Sequence, residues 1–250
     1  MKKNQFLTIT IILLSVTFGF AQESVQITPK KITYTRTAEN IPDFKKKIDV
    51  TYPIISGKSK SLDKVREAIS YWKNFDTNLD EIKFEAYTYE LTYDVNYNGN
   101  GILDLVLTNA GAGAYPSEHH INLVIDVTNG KLLKIRDVFK NRDQLYKMIE
   151  KAHQVEIKNV ISKVNAQLND QSRIYYSVEF LINQSKNFHS IYEIEKFTVS
   201  DKGVTFLFDY NFPHIAKADE PSGRYFFTWK QLKPFLHEFD VFEKFVNKDK

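Results

Sequence analysis

The 250-residue sequence contains no cysteine, and this absence narrows the possible chemistry. It excludes a disulfide framework, thiol catalysis and any metal site with cysteine ligands. The chain must therefore be stabilised by an apolar core, for which 19 phenylalanines and 14 tyrosines provide large side chains. We expect a globular protein without disulfides.

An excess of charge is also lacking. The 34 lysines and arginines nearly balance the 31 aspartates and glutamates, so the formal net charge is +3, and it would fall by two if Lys2 and Lys3 were removed. Nucleic-acid binding relies on many basic side chains that neutralise phosphates. We therefore expect no nucleic-acid partner.

Long apolar runs are absent except at the N-terminus. Lys2 and Lys3 precede an apolar run from Phe6 to Phe20, and small residues lead to Ala21. This order is typical of a secretory signal peptide, here residues 1–21. The run is shorter than the roughly 20 residues of a membrane span, which disfavours the alternative of an uncleaved anchor. We expect a periplasmic or secreted protein with no membrane span after cleavage.

The clearest strand pattern runs from Phe84 to Tyr97, where aromatic or aliphatic residues alternate with polar ones. The segment Asn98–Gly101 then has the composition of a tight hairpin turn, and alternate leucines follow from Leu103 to Leu107. A second hairpin is predicted around Asn129–Gly130. These patterns predict antiparallel strands.

Helix patterns are interspersed with the strands. Ser61 is a candidate N-cap for a helix with apolar residues at spacings of three and four, and Asn141 and Thr228 each begin a capping-box pattern. Without a βαβ repeat, we predict an α+β fold: a single domain in which an antiparallel sheet packs against two or three helices. The expected organisation is a signal peptide (1–21), an N-terminal lead with the first strand (22–44), and the α+β domain (45–250).

The segment Asn109–Ser117 is uncharged and contains two glycines. We interpret it mainly as structural, because glycine and alanine let the backbone pass close to other groups before the Pro116 stop. The alternative is ligand recognition, for which Gly111, Gly113, Tyr115 and Ser117 are the candidate residues.

Other possible sites are weaker. Residues Asp94–Gly99 match the opening of a calcium loop, but the position of its final acid is occupied by Leu105, so a plain hairpin is favoured. His119 and His120 are adjacent, and adjacent strand residues point to opposite faces, so they cannot easily bind one metal ion. Ser117 lacks the surrounding pattern of a hydrolase nucleophile. We predict no catalytic residues, no metal site and no cofactor.

Several short elements, in order, give the chain a family resemblance over about residues 48–236. They are Tyr52-Pro53, Ile55–Gly57, the first helix, Gly111–Pro116, Asn129–Lys131, Asp137–Phe139, Val204–Tyr210, Pro213 and Gly223. The chain thereby resembles a family of extracytoplasmic domains of unknown function. These domains occur in lysozyme-responsive RsiV-type anti-sigma factors and beside the catalytic domain of PdaC-type peptidoglycan deacetylases.

The resemblance implies a non-enzymatic binding module of the cell envelope that recognises cell-wall glycan or a wall-acting protein such as lysozyme. Only a few residues precede the hydrophobic run, and no deacetylase domain follows, so sigma-factor binding and deacetylation are not expected. The segment Lys217–Ser222 departs from the family pattern. The alternative function is a small cell-wall hydrolase with Glu118, His119 or the carboxylates near Asp94 as acid/base groups. The oligomeric state is not predicted.

Overall fold

The computed structural model describes residues 24–36, 41, 45–85, 87–113, 115–166, 178–180, 183, 194–212, 214–238 and 241–246. The predicted signal peptide lies outside the described residues. No helix in the described ranges has the length and apolar character that a membrane span requires.

A six-stranded sheet forms the centre of the fold. Its strands occur in chain order, and all neighbours are antiparallel except the second and third, which are parallel. The strands are β1 (Ile27–Thr35), β2 (Lys47–Ile55), β3 (Thr88–Gly99), β4 (Ile102–Ala112), β5 (Pro116–Asp126) and β6 (Lys131–Leu132).

Three short helices make the crossover between the parallel strands β2 and β3. They are α1 (Lys60–Ala68), α2 (Tyr71–Asn74) and α3 (Leu79–Phe84). A parallel pair requires such a long connection because the chain must return to the same end of the sheet. The predicted N-cap Ser61 is wrong by two residues, since Ser59 accepts the capping bond from the Leu62 N–H.

The predicted hairpin between β3 and β4 is confirmed. Asn100 and Gly101 both have positive φ, 52° and 82°. This is the backbone conformation of the two central residues in a common type of two-residue hairpin turn. Phe84, however, ends helix α3 rather than beginning the strand. Asn78 and Glu81 form a capping box that starts α3, and the strong alternation that follows obscures this short helix in the sequence.

The two faces of the sheet have different cover. On the helix face, Leu103, Leu105 and Leu107 of β4 are fully buried against the layer that contains Leu62 and Val65 of α1. We call the opposite face, which carries the intervening β4 residues Ile102, Asp104, Val106 and Thr108, the cleft face. Among the described residues, a second sheet covers one end of it and the other end is open.

The second sheet has three antiparallel strands, which occur in chain order. Phe139, Phe206 and Phe242 are the largest side chains that are completely buried beside it. The elements in this part are α4 (Ile135–Val138), α5 (Arg142–Asn165), β7 (Lys196–Ser200), β8 (Gly203–Leu207), 3-10 helices His214–Asp219 and Lys233–Phe235, β9 (Arg224–Thr228), α6 (Trp229–Leu232) and α7 (Glu243–Val246).

A buried carboxylate joins the two sheets. Asp104 of β4 is 0% exposed and accepts hydrogen bonds from the Val199 N–H at 2.6 Å, from the Thr198 hydroxyl, and from Asn96 Nδ2 at 3.1 Å. These donors come from β7 and β3, so the carboxylate fixes where the second sheet begins to cover the first.

The predicted α+β class, single domain and antiparallel sheet are confirmed, with the parallel β2–β3 pair as the one exception among the described strands. The capping box of Thr228 and Gln231 is also confirmed. The capping box of Asn141 is wrong: this residue is left-handed, with φ 52°, and its side chain makes no capping bond. Several helices are only four residues long, too short to produce a sequence period.

Candidate functional site

The segment Asn109–Ser117 comprises the end of β4, a short connection and the start of β5. The Tyr87 ring lies directly over Gly111, so a Cβ at this position would come within 2.3 Å of the ring. The Tyr87 hydroxyl also forms a hydrogen bond with Ser117 Oγ. Gly111 therefore permits a close approach between backbone and ring, and Ser117 fixes the ring from the next strand.

The remaining two predicted ligand residues, Gly113 and Tyr115, lie between the two strands. Gly113 has no heavy atom within 4 Å of where a Cβ would be, and the Tyr115 side chain is 66% exposed. Gly111, Gly113, Tyr115 and Ser117 are not among the side chains that line the large cleft described next. Their role in recognition stays a prediction.

A cleft with a volume of about 1210 Å³ lies along β5 and over the open part of the cleft face. Its floor follows from strand register, because residues opposite each other on neighbouring strands share a face. Asp94 is opposite Val106, which is opposite Asn122, and Thr108 is opposite His120. These five side chains therefore form the floor of the cleft.

The only described histidine–carboxylate ion pair that lines the cleft is on β5. His120 Nε2 lies 3.3 Å from a Glu118 carboxylate oxygen, and His120 Nδ1 lies 3.0 Å from Thr108 Oγ1. His119 points to the opposite face, where its ring centroid is 6.3 Å from that of Tyr87. The prediction that the two histidines face opposite ways is confirmed, and Glu118 is paired with His120 rather than His119.

The wall of the cleft consists of the second sheet and the 3-10 segment before β9. Two of its lysines are neutralised locally: Lys196 lies 2.6 Å from Asp209, and Lys217 forms an ion pair with Glu220. Both acids also line the cleft. Arg224 lines the cleft as well, so the wall contributes one positive charge beyond these two ion pairs.

Glu156 of α5 holds part of this wall in place. Its carboxylate accepts hydrogen bonds from the Ser222 N–H at 2.7 Å, from Ser222 Oγ at 2.6 Å and from the Tyr225 hydroxyl at 3.0 Å. Ser222 and Gly223 line the cleft. The charge-assisted bonds fix the loop between the 3-10 segment and β9 onto the long helix.

His153, one helical turn before Glu156, extends the same polar cluster. Its Nδ1 lies 2.8 Å from the Tyr210 hydroxyl and 3.0 Å from the Tyr225 hydroxyl. Burial lowers the pKa of His153 to about 4, although Glu156 opposes this shift. Burial also raises the pKa values of Tyr210 and Tyr225. All three rings are therefore neutral at pH 7.

Sequence reasoning did not find this cluster. The three-residue spacing of His153 and Glu156 on a helix was a usable signal, because such residues share a face. Tyr210 and Tyr225, however, are distant in sequence, and only the fold brings them to that face.

No group of three potential metal ligands occurs among the described histidines, aspartates and glutamates. Residues Asp94–Gly99, which resemble a calcium loop in sequence, form the last part of β3. Asp104, close to where that loop would end, is directed to β7 instead.

The architecture defines an α+β protein with a six-stranded sheet, a smaller second sheet and a polar cleft. A solved member of the DUF3298 family from Bacteroides fragilis has this fold, with a TM-score of 0.56 and 14% identity over 92% of this chain and 100% of that chain. A DUF3298 family protein from Pseudomonas aeruginosa gives a TM-score of 0.51 and 11% identity over 88% and 97% of the two chains.

At these identities the likeness shows a common fold only. Both solved structures belong to a family of unknown function, which fits the prediction that this chain resembles an uncharacterised domain family. The resemblance to the RsiV and PdaC proteins stays a prediction. Neither the protein-family models nor the curated proteins contain a match to this sequence.

Proposed function

We propose that the protein is a non-enzymatic binding module of the cell envelope and that its cleft binds a glycan of the cell wall. The observation that carries the proposal is the row Asp94, Val106 and Asn122 across the cleft floor. It places an apolar side chain between two polar ones that make no side-chain hydrogen bond within the described part of the chain.

This row matches the chemistry of a sugar ring. A pyranose has hydroxyl groups around its edge and C–H groups on its faces, so it fits a strip in which polar groups flank an apolar one. The carboxylate of Asp94 accepts hydrogen bonds, and the amide of Asn122 both donates and accepts. The open cleft gives such a ligand access without requiring a change in the fold.

Retention on purified cell-wall sacculi tests the proposal. We expect the wild-type protein to be retained and a variant with Asp94→Ala and Asn122→Ala to bind about tenfold more weakly, because two polar contacts are lost. Glu67→Ala is the matched control, since Glu67 lies on α1 and pairs with Lys73 there. Equal retention of the wild type and the double variant would contradict the proposal.

A wall-acting protein such as lysozyme is the partner that the family resemblance suggests. A cationic partner requires exposed acidic groups. Of the adjacent acids Asp219 and Glu220, the first is buried and the second is paired with Lys217. Asp219 and Glu220 therefore offer no site for a cationic protein such as lysozyme, and immobilised lysozyme should retain less protein than sacculi do.

The Glu118–His120 pair supports one second candidate, a cell-wall hydrolase in which these two side chains act as acid and base. Mass spectrometry of wall fragments incubated with the protein distinguishes the two functions. The binding module releases no product. Products that appear with the wild type and vanish with Glu118→Gln and His120→Gln would favour the hydrolase.

A further inference from the structure

Within the described part of the chain, strand β5 has an open backbone edge on the side away from β4. The short strand β6 pairs only with Ile125 and Asp126, and Val124 O accepts the Leu133 N–H at 2.8 Å on that side. Because the direction of backbone groups repeats every two residues, the N–H and C=O groups of residues 118, 120 and 122 point the same way. No backbone partner is described for them.

This edge lacks the devices that usually protect a sheet edge. The pairing of β4 with β5 continues from Ile102 to Ala112 without a bulge. The opposite edge strand, β1, carries Pro29, Lys30 and Lys31, which discourage pairing. On β5 the protection is limited to the single acid Glu118 and to Pro116, which has no N–H to offer and therefore ends the usable edge before Glu118.

The cleft extends around this edge to both faces of the sheet. Phe75, Tyr87 and Ile121 line it from the helix face, whereas Asp94 and Asn122 line it from the cleft face. The free volume therefore lies where one more strand would run beside β5.

The two sides of that volume differ in chemistry. Alternate side chains of an added strand point to opposite faces. Those on the helix face would meet aromatic and aliphatic groups, whereas those on the cleft face would meet the Glu118 carboxylate and, further inward, Asp94. Lys196 and Lys217 of the wall are already paired with acids, and Arg224 is the third basic side chain of the lining. The lining therefore contains three bases against the four acids Asp94, Glu118, Asp209 and Glu220, and this excess of acid favours a basic segment.

We propose that the open edge of β5 binds an extended segment of another polypeptide, in which basic and apolar residues alternate, as an added antiparallel strand. Main-chain hydrogen bonds to residues 118–122 hold the segment, and the alternating side chains select it. The inference goes beyond glycan binding and stands whether or not the cleft floor binds sugar.

Fluorescence anisotropy with a labelled peptide of alternating lysine and valine tests the proposal. In an antiparallel pair, the residues whose side chains share the face of Glu118 and His120 direct their own N–H groups to β5. In the bound peptide these residues are the lysines, and N-methylation of the lysine backbone nitrogens should weaken binding about tenfold or more. N-methylation of the valine backbone nitrogens gives a peptide of the same charge and composition and should change binding less than about threefold.

A change in the protein provides the second arm. His120→Pro removes an outward N–H without breaking a backbone hydrogen bond to β4. His120→Ala is the matched control, because it keeps the N–H and loses the same side-chain bond to Thr108. We expect the proline variant to keep the far-UV circular dichroism of the alanine variant and to bind the peptide about tenfold more weakly. If the proline variant unfolds, the methylated peptides still decide the question.

Three results would overturn the proposal. The first is no saturable binding of the unmodified peptide, and the second is equal binding of all the methylated peptides, which would mean that charge alone is recognised. The third is a concentration-dependent dimer that His120→Pro dissociates, because a second copy would then occupy the edge. Glycan binding is measured separately by retention on sacculi. A failure of glycan binding therefore does not change what the peptide experiments show.

Discussion

The covered and open halves of the cleft face belong to the same three strands, β3, β4 and β5. The two halves differ in whether a carboxylate has hydrogen-bond donors around it. In the covered half, Asp104 is surrounded by donors from β7 and β3. In the open half, Asp94 has no hydrogen-bonding partner in the described chain. The second sheet makes the difference: where it covers the strands, polar groups must be satisfied within the protein, and where it ends, they remain available to a ligand.

The largest expected effect on stability comes from removing the Asp104 carboxylate in the covered half. Asp104→Ala leaves the buried Val199 N–H without an acceptor and creates a small cavity between the sheets. We expect the free energy of unfolding to fall by about 4 kcal/mol in urea denaturation at pH 7. Asp94→Ala is the matched control in the open half and should change it by less than about 0.5 kcal/mol. Similar losses in both variants would contradict the comparison.

Asp104 should make the stability of the protein depend on pH in the opposite direction to an acid whose pKa is lowered by folding. Burial raises the pKa of its carboxyl group, while the hydrogen bonds from Thr198, Val199 and Asn96 oppose the shift. The folded protein thus binds this proton more tightly than the unfolded chain does. Its contribution to stability is greatest below about pH 4 and declines as the pH rises through the folded pKa. Asp104→Asn should remove this decline.

The next effect concerns the wall of the cleft. His153 has a pKa of about 4 in the fold, against an unfolded value near 6.5. The unfolded chain binds its proton between these values, so stability is lost as the pH falls from about 6.5 to 4, by at most about 3 kcal/mol.

Thermal denaturation of the wild type and of His153→Asn between pH 7 and pH 4 measures this contribution. Asparagine keeps a polar atom near the position of Nδ1 but does not titrate, so the variant should lose less stability with acid. Parallel pH profiles for the two proteins would show that His153 is not the group responsible.

These local expectations could not all be obtained from the sequence. The β3–β4 hairpin was predictable because alternation and an Asn-Gly turn are local signals, and the Thr228 cap was predictable for the same reason. The cleft was not predictable, because it depends on how β7 packs over β4. Thr198 of β7 bonds to Asp104, which lies 94 residues earlier in the chain. The close approach that was predicted for the glycines of Asn109–Ser117 occurs at Gly111 and not at Gly113. Its partner Tyr87 is evident only from the fold.

A smaller effect is expected where Tyr87 covers Gly111 on the helix face. Gly111→Ala would place a methyl group 2.3 Å from the ring, so the ring or the strand must move. We expect a loss of about 2 kcal/mol in the free energy of unfolding. Tyr87→Ala in the same chain should make the added methyl nearly neutral, which a double-mutant cycle measures. Additive losses would show that ring and glycine do not interact.

The smallest effect on stability is expected in the open half. Asn122→Ala removes a half-buried amide that makes no side-chain hydrogen bond within the described part of the chain, so the free energy of unfolding should change by less than about 0.5 kcal/mol. The fold does not need the amide, whereas the proposed glycan does. Calorimetry should therefore show an unchanged melting temperature, and binding to soluble wall fragments should weaken severalfold. A large loss of stability would instead assign Asn122 to the framework, and the open half would then differ from the covered half only in exposure.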